Sequence, residues 1–204
     1  MPGRRPLVLS VWQSFNFMFP PIFHVTCTLL LAALLLSAAV TDLRSHRIPN
    51  RLVLAGLLLA FAAHAGALAL GAPPLAGPAA WAPLAGLATG FALLLPFYLL
   101  GAMGAGDVKL MAMVGAFMGS QPVMLAALYT FVAGGLLSLV VMFARGVTAQ
   151  TLANMRFLLT DWFLRASVGQ GARLAPLTTT AARLPYAVAI ALGTGTALFW
   201  PLAK

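Results

Sequence analysis

The sequence has very few acidic residues. Asp42, Asp107 and Asp161 are the only three, glutamate is absent, and 12 Lys and Arg give a formal net charge of +9 at pH 7. Charged residues make up 7% of the chain, whereas soluble domains carry about 25%. This shortage of charge excludes an ordinary water-soluble fold. The positive charges are scattered singly rather than clustered on one face, so they do not indicate a nucleic acid partner.

Cysteine is equally scarce. Cys27 is the only one and lies within the first apolar run, a position typical of an inert packed thiol. No CxxC motif exists, which excludes a structural zinc site built from cysteines. Arg4 and Arg5 are not followed by a clean apolar core with a small-residue cleavage site, so we do not predict a removable signal peptide. Met18 is an alternative start.

Long apolar runs dominate the rest of the chain. The sequence is 62% hydrophobic with a mean hydropathy of +0.98, and several runs reach the roughly 18 residues that a bilayer-spanning helix needs. We therefore predict an all-α polytopic membrane protein, a bundle of six transmembrane helices. Pro20 and Pro21 are expected to separate an N-terminal extension, 1–22, from a single membrane domain, 23–204. The predicted spans are 23–41, 52–71, 80–100, 108–120, 123–144 and 184–202.

The loops alternate in charge. Loops 42–51, 101–107 and 145–183, counted with Lys109, hold nine of the twelve basic residues, so the positive-inside rule places them in the cytoplasm. Within the longest loop, apolar residues at 152, 155, 158, 159, 162 and 163 fall on one helical face. This pattern predicts a short amphipathic helix between spans five and six. It either lies in the membrane interface, with Trp162 at headgroup depth, or covers the cytoplasmic end of the bundle.

Two of the three aspartates are predicted to share one face of the membrane. Asp42 ends span one and Asp107 begins span four, and two complete crossings return the chain to the face that it left. Span four, at about 13 residues or roughly 20 Å, is shorter than the hydrocarbon core of about 30 Å. Asp107 is therefore expected to lie below the headgroups, where a carboxylate is costly unless it is paired, protonated or hydrated.

A carboxyl pair at this depth suits peptide hydrolysis. Two neighbouring carboxyls in a medium of low dielectric can share one proton, so that one activates water while the other polarises the scissile carbonyl. We expect Gly104 and Gly106 to allow unusual dihedrals and the close approach of a substrate strand. We also expect the helix dipole to favour the ionised form of Asp107. The alternative, in which Asp107 is an N-cap and Asp42 is satisfied at a helix end, is equally open on composition and topology.

Two motifs add a family resemblance. The segment "TDLRSHRIPNRL", followed two spans later by "GAGDVKLMA", resembles the type IV prepilin peptidases, bacterial members of the GxGD intramembrane aspartyl proteases. "LPYAVAIALG" at 184–193 is similar to the Pro-Tyr-Ala segment of the family's last span. The residues that match the family pattern are Asp42, Ile48-Pro49-Asn50, Gly104, Gly106, Asp107 and Lys109.

The resemblance implies cleavage of prepilin leader peptides at the cytoplasmic face of the bacterial inner membrane. Asp42 and Asp107 would be the catalytic pair, supported by Gly104, Gly106 and Lys109, with no metal and no cofactor. The expected partners are the prepilin substrate and membrane lipids. Large members of the family also carry an inserted domain with paired CxxC motifs and N-methylate the product. This chain has ten residues there, 42–51, so it resembles the short peptidase-only branch that serves Flp-type pili of the tight-adherence (Tad) secretion system.

Other interpretations remain. The chain would be a small transporter if the aspartates coupled a cation, or a non-catalytic scaffold for pilus assembly if neither were needed. Lys109 contacts the substrate, tunes Asp107 or snorkels to the interface. His64 is predicted to be packed and hydrogen-bonded, His46 to be exposed in a loop, and Asp161 to lie outside the site.

Overall fold

The computed structural model describes residues 7–101, 103–144 and 185–200, with isolated positions between 146 and 160, and side chains from Phe23 onward. Within these residues the regular elements are all helices, which confirms the all-α prediction for this part of the chain. They are α1 (Leu7–Ser45), α2 (Asn50–Ala69), α3 (Ala82–Leu99), α4 (Ala105–Met118), α5 (Ser120–Ala144) and α6 (Tyr186–Phe199).

Four segments of the described helices are long and apolar enough to cross a bilayer. They are Phe23–Ser45, Asn50–Ala69, Ala82–Leu99 and Ser120–Ala144, and they correspond to predicted spans one, two, three and five. Helices α4 and α6 have 14 residues each, about 21 Å of helix, so the count of six spans stays a prediction. The predicted amphipathic helix near 152–165 lies outside the described residues, apart from isolated positions.

The start of the first helix differs from the prediction. Helix α1 begins at Leu7 and runs through Pro20 and Pro21 without a break, so the two prolines do not separate the helix there. Proline removes a backbone N–H donor and crowds the preceding turn. The other backbone hydrogen bonds of a long apolar helix still form within the helix. The division into an extension, 1–22, and a membrane domain, 23–204, stays a prediction.

A short turn joins α1 to α2. His46 is exposed and adopts the left-handed region, with φ 49°, and Pro49 precedes α2 in an extended conformation, φ −64° and ψ 127°. Proline suits this position because the first helical residues have no intrahelical acceptor for their N–H groups. The turn therefore ends at Pro49, and α2 begins at Asn50. It places Ile48 and Asn50 beside the beginning of α4.

Helix α4 forms the centre of the bundle. Val108 and every residue from Leu110 to Met118 are buried. On one side α4 contacts α3 backbone to backbone, because a Cβ on Gly86 would overlap the carbonyl of Gly115 and a Cβ on Gly90 would overlap that of Met111. Small residues at this spacing permit close approach of membrane helices.

The outer surface of the bundle is apolar. Leu58, Leu136 and Phe143 are each at least 60% exposed, and many other large apolar side chains share this exposure. Contiguous apolar surface on this scale does not face water in a soluble monomer. Together with the four candidate spans, it identifies a membrane protein.

Candidate active site

Asp42 lies in the last turns of α1 and is buried, with 7% of its surface exposed. Its Oδ2 accepts a hydrogen bond of 3.0 Å from the backbone N–H of Ala187, the second residue of α6. The first N–H groups of a helix lack intrahelical acceptors, so the carboxylate satisfies one of them. This bond ties the end of α1 to the beginning of α6.

Asp107 lies in the first turn of α4 and is partly buried. Its Oδ2 accepts a hydrogen bond of 3.2 Å from the N–H of Gly104, and its own N–H donates to the Gly104 carbonyl at 3.1 Å. The N-cap of α4 is Gly104, so the alternative interpretation, in which Asp107 itself is the N-cap, is wrong. The carboxylate instead reaches back to the N-cap residue from the third helical position.

The structure brings Asp42 and Asp107 to the same end of the bundle, close enough for their charges to interact. Asp107 lies outside the four candidate spans. Burial of its carboxyl raises its pKa to about 6. The hydrogen bond from the Gly104 N–H lowers this pKa, and the negative charge on Asp42 raises it further. Desolvation disfavours the charged form of an acid, as a neighbouring negative charge does. The Gly104 N–H at the beginning of α4 favours ionised Asp107, but burial outweighs this effect.

Gly104 and Gly106 act through their lack of a side chain rather than through unusual dihedrals. Gly104 is extended, with φ −78° and ψ 150°, and neither glycine has a positive φ, so the expectation of special backbone conformations is wrong. A Cβ on Gly106 would lie 3.3 Å from the Cβ of Ile48, and a Cβ on Gly104 would lie 3.3 Å from Oδ2 of Asp107. The two glycines therefore leave room for Ile48 and for the Asp107 carboxylate.

Lys109 is exposed and lies two residues beyond Asp107. Its Nζ donates a hydrogen bond of 3.0 Å to Oδ1 of Asn50, the first residue of α2. This contact gives Lys109 a partner that the sequence did not suggest. It joins the Ile48-Pro49-Asn50 turn to the first turn of α4.

The first turn of α6 also belongs to this end of the bundle, which reasoning from the residues alone missed. Ala187 donates to Asp42, and the preceding residue, Tyr186, interacts electrostatically with Asp107. The resemblance of the Pro-Tyr-Ala segment to the family's last span was the one signal in the sequence for the first turn of α6. It assigned no role to Tyr186.

The remaining candidate residues lie elsewhere. His64 is buried and its Nε2 contacts the Ala79 carbonyl at 3.1 Å, as predicted for a packed histidine. It is 14 residues along α2 from Asn50, or about 21 Å, towards the opposite end. Asp161 falls outside the described residues. Within the described part of the chain, no three His, Cys or Asp side chains come together as metal ligands.

Comparison with known proteins identifies a family. The model of the type IV leader peptidase family matches residues 29–139, just over half of the chain, and this range includes both Asp42 and Asp107. No curated protein and no solved structure matches the chain. The chain therefore belongs to the type IV leader peptidase family.

Proposed function

We propose that this protein is an intramembrane aspartyl endopeptidase that removes the leader peptide of type IV prepilins, with Asp42 and Asp107 as its catalytic pair. Membership of the family supports a prepilin leader peptidase, and the apolar helices support a membrane location. The observation that carries the assignment of residues is the electrostatic interaction between the two carboxyls, which come from α1 and α4 and lie at the same end of the bundle.

The pair hydrolyses the peptide bond by general acid–base catalysis. Asp42, as carboxylate, takes a proton from water while the water oxygen attacks the scissile carbonyl carbon. Asp107, whose pKa is raised by burial, holds the shared proton and gives it to the carbonyl oxygen, which forms a geminal diol. When the C–N bond breaks, Asp42 returns its proton to the leaving nitrogen, and Asp107 recovers one from a diol hydroxyl.

Each carboxyl of the pair accepts a hydrogen bond from a backbone N–H at the beginning of a helix. The Ala187 N–H fixes Oδ2 of Asp42, and the Gly104 N–H fixes Oδ2 of Asp107. One oxygen of each carboxyl has no such backbone donor within the described residues and is available for water or substrate. Gly106 and Lys109 support the site through the Ile48-Pro49-Asn50 turn, and Gly104 supports it through its hydrogen bond to Asp107.

We also propose that the enzyme lacks N-methyltransferase activity, serves Flp-type prepilins and cuts at the cytoplasmic face. Helix α1 ends at Ser45 and α2 begins at Asn50, so the four residues between them leave no room for an inserted domain. The basic loops beside the site favour the cytoplasmic side. The transporter alternative has no support here, because both described aspartates lie at one end of the bundle instead of along a path through it.

The test is co-expression with a Flp-type prepilin. Leader removal is followed by the change in electrophoretic mobility for the wild-type protein, Asp42→Ala and Asp107→Ala. We expect cleavage by the wild type and none by either variant, with Asp161→Asn as a control that keeps the activity. Cleavage that persists in both alanine variants would exclude the proposed pair.

A further inference from the structure

One turn of α6 reaches both halves of the proposed pair. The Ala187 N–H donates to Asp42, and the side chain one residue earlier, Tyr186, lies near enough to Asp107 for the charge on Asp107 to act on its hydroxyl. We propose that Tyr186 is a third catalytic side chain, whose hydroxyl donates a hydrogen bond to the scissile carbonyl oxygen as that oxygen gains negative charge. This inference rests on the proposed peptidase function.

Helix α5 holds the Tyr186 ring. A Cβ on Gly134 would lie 2.9 Å from both Cε2 and the hydroxyl oxygen of Tyr186, so the aromatic side chain fills the space that the missing side chain leaves. One turn earlier on α5, Gly193 of α6 packs directly against the backbone of Thr130. Small residues therefore keep α5 and α6 in close contact beside the ring, and the Tyr186 side chain packs against α5.

The Tyr186 hydroxyl makes no hydrogen bond to another residue in the part of the chain that the structure describes, although the side chain is half-buried. A tyrosine that buries its ring normally satisfies its O–H. Three other donors at this end of the bundle have partners: the Gly104 and Ala187 N–H groups bond to the carboxylates, and Lys109 bonds to Asn50. The phenol is thus an uncommitted donor beside the proposed pair.

A fixed, neutral donor is what the reaction needs at the carbonyl oxygen. Asp107 supplies the proton that this oxygen acquires, while the phenol keeps its own proton and contributes a hydrogen bond that strengthens as charge develops. Such donors act on the transition state more than on bound substrate, and the loss of one lowers kcat by about 10²–10³-fold. Removal of the hydroxyl should therefore lower kcat and leave KM nearly unchanged.

The experiment compares Tyr186→Phe with Tyr186→Ala, using purified protein and a Flp-type prepilin. Tyr186→Phe keeps the ring against Gly134, so we expect normal folding, a loss of about 10²-fold in kcat and little change in KM. A peptide with a hydroxyethylene isostere at the scissile position should bind more weakly to Tyr186→Phe by a similar factor. Tyr129→Phe is the matched control, because the Tyr129 hydroxyl bonds to the Trp200 carbonyl beyond the far end of α6; it should retain wild-type kcat.

The inference would be overturned if Tyr186→Phe kept the wild-type kcat and the wild-type affinity for the isostere. A loss of kcat in Tyr186→Ala alone would also overturn it, because Tyr186 would then act only through the packing of its ring. These outcomes are separable from failure of the proposed function. If Asp42→Asn and Asp107→Asn are inactive while Tyr186→Phe has the wild-type kcat, the proposed peptidase function is supported and the proposed role of Tyr186 is wrong. If the aspartate variants still cleave, the proposed function itself is wrong.

Discussion

Replacement of Asp107 by asparagine should stabilise the folded protein at neutral pH. The carboxyl has a pKa of about 6 in the folded chain, against a reference value of 3.8. Between these values the folded state binds more protons than the unfolded state, so stability falls as pH rises through this range. At 1.36 kcal/mol per pH unit, ionisation of Asp107 costs up to about 3 kcal/mol above pH 6. Asparagine avoids this cost, and its amide oxygen can still accept the Gly104 N–H.

Thermal unfolding in detergent measures the effect. Cys27 is the only cysteine and is 5% exposed, so a thiol-reactive fluorophore reports its exposure when the bundle opens. We expect Asp107→Asn to raise Tm by roughly 5–10 °C at pH 7.5, with the advantage disappearing below about pH 4. Asp161→Asn makes the same change of charge as a control. An unchanged or lower Tm for Asp107→Asn at pH 7.5 would refute the assignment of a buried, costly carboxylate.

Two further predictions concern contacts between the helices. Lys109→Met and Asn50→Ala should each weaken the fold, and a double-mutant cycle should give a coupling of about 0.5–1.5 kcal/mol, the usual range for one hydrogen bond; additive effects would contradict the contact. Gly86→Ala should prevent close packing of α3 on α4 and lower Tm sharply, because the new Cβ would overlap the Gly115 carbonyl. Gly66→Ala is the control, because this helical glycine has open space around it; the substitution should be neutral or stabilising by up to about 1 kcal/mol. An equal fall in Tm for Gly86→Ala and Gly66→Ala would argue against the backbone contact between α3 and α4.

The helices were predictable where length and hydropathy carry the information. The segments around 23–41, 52–71, 80–100 and 123–144 were identified because a bilayer sets the length of an apolar run. A break in the helix at Pro20-Pro21 is not seen, because proline weakens a helix without always ending it. The central position of α4 was not predicted, since burial on all sides depends on neighbours that no local pattern names.

The candidate site was predictable only in part. Counting of spans placed Asp42 and Asp107 on one face, and the structure brings their charges together. The Ala187–Asp42 bond spans 145 positions and the Lys109–Asn50 bond spans 59, so neither could be found from spacing along the sequence. The expectation of unusual dihedrals at Gly104 and Gly106 was wrong, because the space that each glycine leaves is used by Asp107 and Ile48, which the sequence pattern does not name.

The central claim is that Asp42 and Asp107 act as one catalytic pair. Its most direct test is the rate of leader removal by purified wild type, Asp42→Asn and Asp107→Asn, with the new amino terminus identified by mass spectrometry. We predict that either substitution lowers kcat by at least about 10³-fold. The double variant should be no less active than either single variant, since the effects of groups that act as a unit are not additive. The wild-type product should have an unmethylated amino terminus. Cleavage at an undiminished rate by either folded single variant would contradict the claim.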